Sequence, residues 1–464
     1  ALVGWNEIRL LLKRQRLPDA LSLAISTNKR FPNDIEGMGI LGSCLRASGD
    51  LNKSLKYLDR AIKLNSNYAE ALINRGLISL SQDDKIKALI DLEKAHHLKP
   101  HIKQIWDLVL GLKIELKEFE DVISLTKGMS KLDPLNEKVV ERMAFCYRHL
   151  ENLNKATESY KKALLLKPDF FEAWVDLGTT LIAQGKIDEG IGAYYKALSI
   201  KPDYAEAYNN IGNALKNKGQ LDQAIEVFKK ALEIKPDHAE IHNNMGATYQ
   251  NKGKTEKALS AFRKALSLNP DYAEANYNMG NALKDQKKLG EALIAYRKAL
   301  SLKPCFLNAQ INIGNSLKEQ GNLEDAIEAF KKALVINPNY AEAYNNIGVV
   351  FDELGRLEQS IEAFKKALSI KPDYAEAYNN IAITLKGIEF KKPDSDLQMV
   401  MTSLLDRKVY VRPRDIAPAA ISLLKFEPSV QNVIKKINHR KVSQKLHDII
   451  FDLSNIPLLL KLMN

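Results

Sequence analysis

The chain has 464 residues, of which 45% are hydrophobic and 27% charged, the balance of an ordinary folded protein rather than a disordered one. It carries 68 Lys and Arg against 57 Asp and Glu, a net charge of +11, yet no run approaches the ~18 apolar residues of a membrane-spanning helix. Its three widely separated cysteines exclude a disulfide framework and a cysteine-based metal motif, and they suit a reducing cytosol.

A period of 34 residues runs through most of the sequence. Ten of the 16 prolines fall on it: Pro32, Pro100, Pro134, Pro168, Pro202, Pro236, Pro270, Pro304, Pro338 and Pro372. A fixed period of this length indicates an array of repeated supersecondary units. Residues 1–374 hold eleven repeats, and we number the residues of each repeat as places 1 to 34, starting at residues 1, 35, 69 and so on.

Each repeat predicts two short helices. Large apolar residues occupy places 4, 7, 11 and 24, as in Tyr208, Ile211, Leu215 and Phe228, whereas places 8, 20 and 27 are mostly Gly or Ala. Places 4, 7, 8 and 11 share one helix face, and places 20, 24 and 27 share a face of a second helix. Small residues let the two helices approach closely, and proline at place 32 ends the second one. The fold class is therefore all-α, and stacking of neighbours buries what one hairpin cannot.

These residues resemble the tetratricopeptide repeat (TPR) family, in which small, aromatic and proline places agree in register. The resemblance implies a right-handed superhelix, an α-solenoid, with a concave groove lined by the first helices. It covers residues 1–374 and predicts one additional first helix at residues 375–386, which caps the array. Residues 1–34 and 103–136 are atypical repeats, because Ile8, Leu110, Val122 and Met129 stand where small residues are expected.

One pattern is not explained by packing. Place 6 is asparagine in six successive first helices, and place 9 is asparagine in three of them: Asn210, Asn244, Asn278, Asn312, Asn346, Asn380, Asn213, Asn281 and Asn315. Asparagine costs about half a kcal/mol relative to alanine inside a helix. A carboxamide can pair with both the C=O and the N–H of a peptide. We therefore expect this asparagine row to hold an extended polypeptide by its backbone. Lysines at place 12 would favour acidic partners: Lys216, Lys284 and Lys318.

The asparagine row resembles the ladder in the TPR arm of protein O-GlcNAc transferases, which lines the groove and grips substrate polypeptides. Residues 205–380 match that pattern. Upstream the pattern fails, since place 6 holds Asp176, Arg142, Leu108 and Ile40, with an isolated Asn74. The resemblance thus implies a peptide-binding groove in the C-terminal half of the array.

Two other interpretations remain open. The segment PDYAEAYNNI occurs identically at 202–211 and 372–381, so the asparagines are also explained by recent duplication. Lys138 and Arg142 have the one-turn spacing with which some TPR domains clamp a C-terminal carboxylate. Leu108 stands where that clamp needs asparagine.

The sequence contains no phosphate-binding loop, nucleotide fingerprint or zinc motif, so we predict no catalytic residue, metal or cofactor. His96, His97 and His101 cluster near a repeat boundary and are expected at the surface. Basic and acidic residues alternate, as in KKALEIKPDHAE, which indicates a solvated outer face rather than the basic stripe of a nucleic-acid-binding protein.

After residue 386 the period stops. Residues 387–464 contain apolar residues at helical spacing, which predict a small helical module at the end of the array. The apolar ending IPLLLKLMN predicts self-association or the start of a further, truncated domain, and the first residue, Ala rather than Met, is expected of a fragment.

We therefore predict a cytoplasmic protein–protein interaction scaffold that binds extended polypeptide and contacts neither nucleic acid nor membrane. The alternative is a substrate-recruiting arm of a glycosyl- or methyl-transferase whose catalytic domain lies outside this sequence.

Overall fold

The computed structural model describes residues 2–132, 136–386, 388–406, 413–428, 430–431, 457–458 and 461. Every regular element in this part of the chain is an α-helix. In chain order these are α1 (Leu2–Lys13), α2 (Leu17–Arg30), α3 (Ile35–Ala47), α4 (Leu51–Leu64), α5 (Ala69–Ser81), α6 (Lys85–Leu98), α7 (Lys103–Glu115), α8 (Phe119–Leu132), α9 (Glu137–His149), α10 (Leu153–Leu166), α11 (Phe171–Ala183), α12 (Ile187–Ile200), α13 (Ala205–Asn217), α14 (Leu221–Ile234), α15 (Ala239–Asn251), α16 (Thr255–Leu268), α17 (Ala273–Asp285), α18 (Leu289–Leu302), α19 (Leu307–Glu319), α20 (Leu323–Ile336), α21 (Ala341–Glu353), α22 (Leu357–Ile370), α23 (Ala375–Thr384), α24 (Ser395–Asp406) and α25 (Pro413–Leu424). The chain divides into two compact blocks, the N-terminal block (Ala1–Asn210) and the C-terminal block (Ile211–Asn464).

Each repeat is a helical hairpin, as predicted. From α3 to α22 the first helix of every repeat has 13 residues and the second has 14. The all-α prediction is therefore confirmed. No helix among the described residues is both long and apolar enough to cross a membrane.

The small residue at place 8 is required by the aromatic ring at place 24. A Cβ atom built on Gly314 would lie 2.5 Å from the Phe330 ring, which is closer than any real contact. The same conflict arises between Gly280 and Tyr296 at 2.5 Å. The ring therefore fills the space that the missing side chain leaves where the two helices cross.

The turn between the two helices has a left-handed residue at place 15, which the sequence analysis did not single out. Six repeats have glycine there, and their φ angles lie between 70° and 90°. Five repeats adopt the same conformation without glycine, as at Lys287 with φ 61°. Left-handed φ is costly for residues with a Cβ atom, so this place explains the Gly near the end of most first helices.

The proline lattice serves a second purpose. The indole Nε1 of Trp174, at place 4, donates to the carbonyl oxygen of Pro168 at 2.8 Å, and Trp106 does the same to Pro100 at 3.1 Å. Place 4 of one repeat thus satisfies a carbonyl at the end of the previous repeat, and the two repeats are fixed in register.

The atypical repeat 103–136 keeps its apolar core, since Leu110 and Val122 are buried where small residues were expected. The side chain of Met129 and all of Pro134 lie outside the described part. Its place 11 holds a buried lysine instead of an apolar residue. The Lys113 ammonium lies 2.7 Å from Glu93, 2.7 Å from Glu118 and 3.0 Å from Asp121. In the other atypical repeat, Ile8 is buried in the first hairpin.

Helices α24 and α25 cover the end of α23. Their apolar residues form one buried cluster with those of α22 and α23, including Tyr378, Ile381, Leu385, Leu404 and Leu423. An ion pair between Lys365 and Asp394, 2.9 Å apart, ties the connector to α22. Most of the remaining predicted tail helices, beyond residue 431, lie outside the described residues.

Candidate functional site

The six place-6 asparagines lie at equivalent points on the first helices. Asn210 belongs to the N-terminal block, and the other five lie in the C-terminal block on α15, α17, α19, α21 and α23. All six side chains are half-buried. Within the C-terminal block successive first helices contact each other, for example α15 with α17 and α21 with α23. Within that block the row thus runs across adjacent first helices at half-buried positions.

The place-6 amides are hydrogen-bonded to the preceding repeat. Asn312 Nδ2 donates to Asn281 Oδ1 at 2.8 Å, and Asn346 Nδ2 donates to Asn315 Oδ1 at 3.4 Å. In both cases the acceptor is the place-9 asparagine. The place-9 asparagines, expected to contact the guest, therefore also join neighbouring repeats.

A different acceptor is used where place 9 is apolar. Ala247 and Val349 occupy place 9 of their repeats, and place 5 is asparagine instead. Asn278 Nδ2 then donates to Asn243 Oδ1 at 3.0 Å, and Asn380 Nδ2 donates to Asn345 Oδ1 at 3.0 Å. Every repeat from residue 205 to 374 has a carboxamide at place 5 or place 9. This complementarity is visible in the sequence once places 5 and 9 are compared between repeats.

Tyrosines at place 24 add a second contact. The Tyr296 hydroxyl donates to Asn281 Oδ1 at 2.8 Å, so that one carbonyl accepts from both Tyr296 and Asn312. In the N-terminal block the Tyr194 hydroxyl lies 2.9 Å from Thr179 Oγ1. Burial raises the pKa of Tyr194, against the opposing hydrogen bonds with Thr179 and Asn210. The hydrogen bond from the Tyr296 hydroxyl occupies the Oδ1 acceptor of Asn281 and thereby fixes the plane of the Asn281 amide.

The three place-12 lysines differ in their surroundings. Lys216 Nζ lies 3.3 Å from Asn213 Oδ1, and burial lowers the pKa of Lys216. Lys284 Nζ lies 3.6 Å from Glu319, which partly neutralises it. The side-chain ammonium of Lys318 makes no hydrogen bond or ion pair with any described residue, although its backbone carbonyl accepts from Gly321. The expected attraction of acidic partners is thus strongest at Lys318.

Upstream of Asn210, two of the place-6 residues are charged, Arg142 and Asp176. Arg142 Nη1 donates to Asp107 Oδ1 at 2.7 Å, and Arg148 Nη2 lies 3.3 Å from Asp176 Oδ1. The isolated Asn74 accepts from Arg46 Nε at 2.9 Å. Of the Lys138–Arg142 pair, the Arg142 guanidinium is thus already paired with Asp107 on the preceding first helix.

The prediction that the three clustered histidines lie at the surface is wrong for His96. His96 is buried, and its ring packs edge-on against Trp106 with the centroids 4.3 Å apart. No three His, Cys, Asp or Glu side chains among the described residues are grouped as a metal site. Cys44 and Cys146 are buried and Cys305 is exposed.

Sequence profiles of one family match the chain repeatedly. Profiles described as TPR repeat match residues 178–219, 212–253 and 314–355, and profiles described as tetratricopeptide repeat match residues 35–68, 139–170, 239–272, 273–304 and 341–374. Together these matches cover more than half of the chain.

The chain is also similar to individual proteins. A tetratricopeptide repeat-containing protein, trd-1, of Caenorhabditis elegans is 25% identical over 143 residues, which are 31% of this chain and 18% of the relative. A UDP-N-acetylglucosamine–peptide N-acetylglucosaminyltransferase of Giardia intestinalis is 27% identical over 124 residues, 25% of this chain and 8% of that enzyme. The chain thus spans less than a fifth of either relative.

Among solved structures, YrrB, a TPR protein with an unusual peptide-binding site, is 28% identical. The alignment covers 40% of this chain and 95% of YrrB, with a TM-score of 0.35. With its repeated helical hairpins, its glycine–aromatic crossings and the profile matches along more than half of its length, the chain belongs to the tetratricopeptide-repeat family.

Proposed function

We propose that the chain is a non-catalytic interaction scaffold that binds an extended polypeptide along the first helices of residues 205–380, in the cytoplasm. TPR repeats are typical of protein–protein interaction, and the half-buried asparagine row carries the finer proposal. Each place-6 carboxamide has two N–H donors and an acceptor oxygen. For Asn278, Asn346 and Asn380 one N–H is committed to the preceding repeat, and the other N–H and the oxygen are proposed to bind a guest backbone. Asn312 Nδ2 also lies 3.4 Å from the Tyr277 hydroxyl, so its oxygen is the group proposed to bind there.

The commitment of one N–H favours binding for a physical reason. An amide fixed by a neighbour loses little further rotamer freedom when a peptide docks, so less of the binding energy is lost to ordering. The same bond offsets the helix-propensity cost of asparagine. Duplication by descent explains why the asparagines are alike, and the inter-repeat bond explains why they are tolerated. Guest binding requires its own test.

The test is a comparison of two double variants. Asn278→Ala with Asn380→Ala removes two row amides together with their inter-repeat bonds. Asn243→Ala with Asn345→Ala removes the same two bonds through acceptors that are buried away from a guest. Binding of a random-sequence peptide library to the immobilised full chain should fall several-fold for the first variant and clearly less for the second, which keeps the row amides and loses only the bonds that fix them. Equal binding by both variants, or an equal loss in both, contradicts the role of the row.

A second candidate is a recruiting arm of a transferase, favoured by the similarity to the Giardia intestinalis glycosyltransferase. Reading the gene beyond the codon for Asn464 tests it. A following nucleotide-sugar or methyl-donor domain supports this candidate, and an immediate stop codon removes it.

A further inference from the structure

The last first helix of the array, α23, has one face that lies open to solvent. Asn379 and Ile383 are one helical turn apart on this face, at places 5 and 9. Both side chains are exposed, that of Ile383 to 60%. On the other side of α23, Ile381 and Leu385 are 0% exposed and pack into the apolar cluster that α24 and α25 complete. The helices at the end of the array therefore cover one face of α23 and leave the face with Asn379 and Ile383 accessible.

Place 5 is covered in the preceding repeats. The other three place-5 asparagines, Asn209, Asn243 and Asn345, are at most 5% exposed. Asn243 and Asn345 each accept a hydrogen bond of 3.0 Å from the place-6 amide of the next first helix. The side-chain carboxamide of Asn379, in contrast, makes no hydrogen bond with any residue that the structure describes. Its two N–H groups and its oxygen are therefore available to a guest.

Place 9 changes in character at the same end of the row. Three earlier repeats have asparagine there, whereas the last two first helices have Val349 and Ile383. Val349 is half-buried and packs against the cluster of α22 to α25. The bond from Asn380 to Asn345 holds α23 against α21, so these two apolar residues occupy equivalent places on helices that contact each other. The carboxamide row thus ends beside two apolar side chains.

Two acidic groups on these helices already have partners. Asp352 accepts from the Thr384 hydroxyl at 2.8 Å, and Glu376 lies 3.4 Å from the amide of Asn345. An apolar guest side chain that contacts Ile383 removes apolar surface from water, which is favourable. A charged guest side chain on Ile383 would instead lose hydration without gaining a partner. The open face therefore fits an apolar residue.

We propose that Asn379 and Ile383 form the terminal subsite of the groove, where the carboxamide binds the guest backbone and the isoleucine contacts one large apolar side chain, leucine, isoleucine or phenylalanine. An extended chain that follows the row reaches this subsite directly, since Asn380 precedes Ile383 by less than one turn of the same helix. The inference rests on the proposed function, because the guest is the same extended polypeptide. It adds a sequence preference to a row that is proposed to bind the backbone alone.

The test measures two quantities with a random-sequence peptide library and the immobilised full chain: the total amount of peptide bound and the composition of the bound peptides. Leucine, isoleucine and phenylalanine together should be enriched about threefold over the input library. Total binding reports on the proposed function, and the enrichment reports on the terminal subsite. The two ideas can therefore fail separately.

The variant Ile383→Ser should lose the enrichment and keep most of the total binding, with an unchanged circular dichroism spectrum. Ile294→Ser is the matched control, since Ile294 is 69% exposed on the second helix α18. It makes the same chemical change outside the row and should keep the enrichment.

Several outcomes would contradict the subsite. If the wild type binds peptides without the enrichment, or if Ile383→Ser retains it, the subsite is wrong while the row stands. If no peptide binds at all, the proposed function fails and the subsite fails with it. Enrichment of acidic residues instead would assign this end of the groove to the exposed Lys386. A wild-type dimer in light scattering that Ile383→Ser separates would show that a second copy of the chain covers this face.

Discussion

At the scale of single residues, the repeat depends on a place where no side-chain atom can be added. In α19 the ring of Phe330 lies against Gly314 at place 8, so a methyl group there must displace an aromatic side chain packed between two helices. Glycine elsewhere in a second helix meets no such limit: a Cβ atom on Gly192, in the middle of α12, would have nothing within 4 Å. The two kinds of glycine look alike in the sequence and differ only through the partner helix.

This difference gives a matched pair of substitutions. Gly314→Ala should destabilise the protein by about 1–3 kcal/mol, since the Phe330 ring must shift within a packed core. Gly192→Ala should instead stabilise it by up to about 1 kcal/mol, because alanine is the better helix former. Urea unfolding of both variants measures the change. A neutral Gly314→Ala would show that the hairpin crossing adapts without cost.

At the scale of elements, neighbouring repeats are joined by short polar contacts as well as by apolar packing. The place-4 ring nitrogens bind the carbonyl of the preceding proline, and the place-6 amides bind place 5 or place 9. The hairpin turn, in contrast, is fixed by backbone conformation alone. Lys287 has the left-handed φ that glycine adopts in six of the repeats.

We therefore expect Lys287→Gly to stabilise the α17–α18 turn by about 0.5–1 kcal/mol, the strain relieved by glycine less the extra entropy of the unfolded chain. Lys288→Gly is the control, since Lys288 has φ −83°, which any residue adopts. It should bring no gain. Thermal unfolding of the two variants checks this, and a higher midpoint for Lys288→Gly alone would contradict the assignment.

At the scale of the whole molecule, the period allowed the architecture to be predicted repeat by repeat. Pro168, Gly314 and Phe330 are each constrained within a hairpin or its immediate neighbour, so their spacing carries the information. The row at place 6 was also predicted, but not its bonds to Asn243 or Asn281. Those contacts depend on the rotation of one first helix against the next. The buried Lys113 was missed because it departs from the repeat and has no period to reveal it.

The end of the array provides a prediction for the chain as a whole. Truncation after Lys386 removes α24 and α25 and exposes Tyr378, Ile381 and Leu385. We expect a lower midpoint of unfolding and concentration-dependent association, measured by light scattering, because a newly exposed apolar patch favours contact between chains.

The full-length variant Met399→Ser is the control for that truncation. It removes an exposed side chain of α24, 64% accessible, and leaves the buried cluster intact. It should scatter like the wild type. If the truncated chain stays monomeric and equally stable, α24 and α25 do not protect the end of the array.

The choice between two acceptors for the place-6 amide has a consequence for how such an array grows. A repeat needs a carboxamide at only one of two places, 5 or 9, to accept the hydrogen bond from place 6 of the next repeat. The neighbouring repeat can therefore be exchanged, lost or copied, and the place-6 N–H still finds an acceptor. Gene duplication in steps of one hairpin would thus preserve the hydrogen bonds between repeats, and the number of repeats in the array can change freely in evolution. The identical segments at 202–211 and 372–381 are what such growth would leave behind.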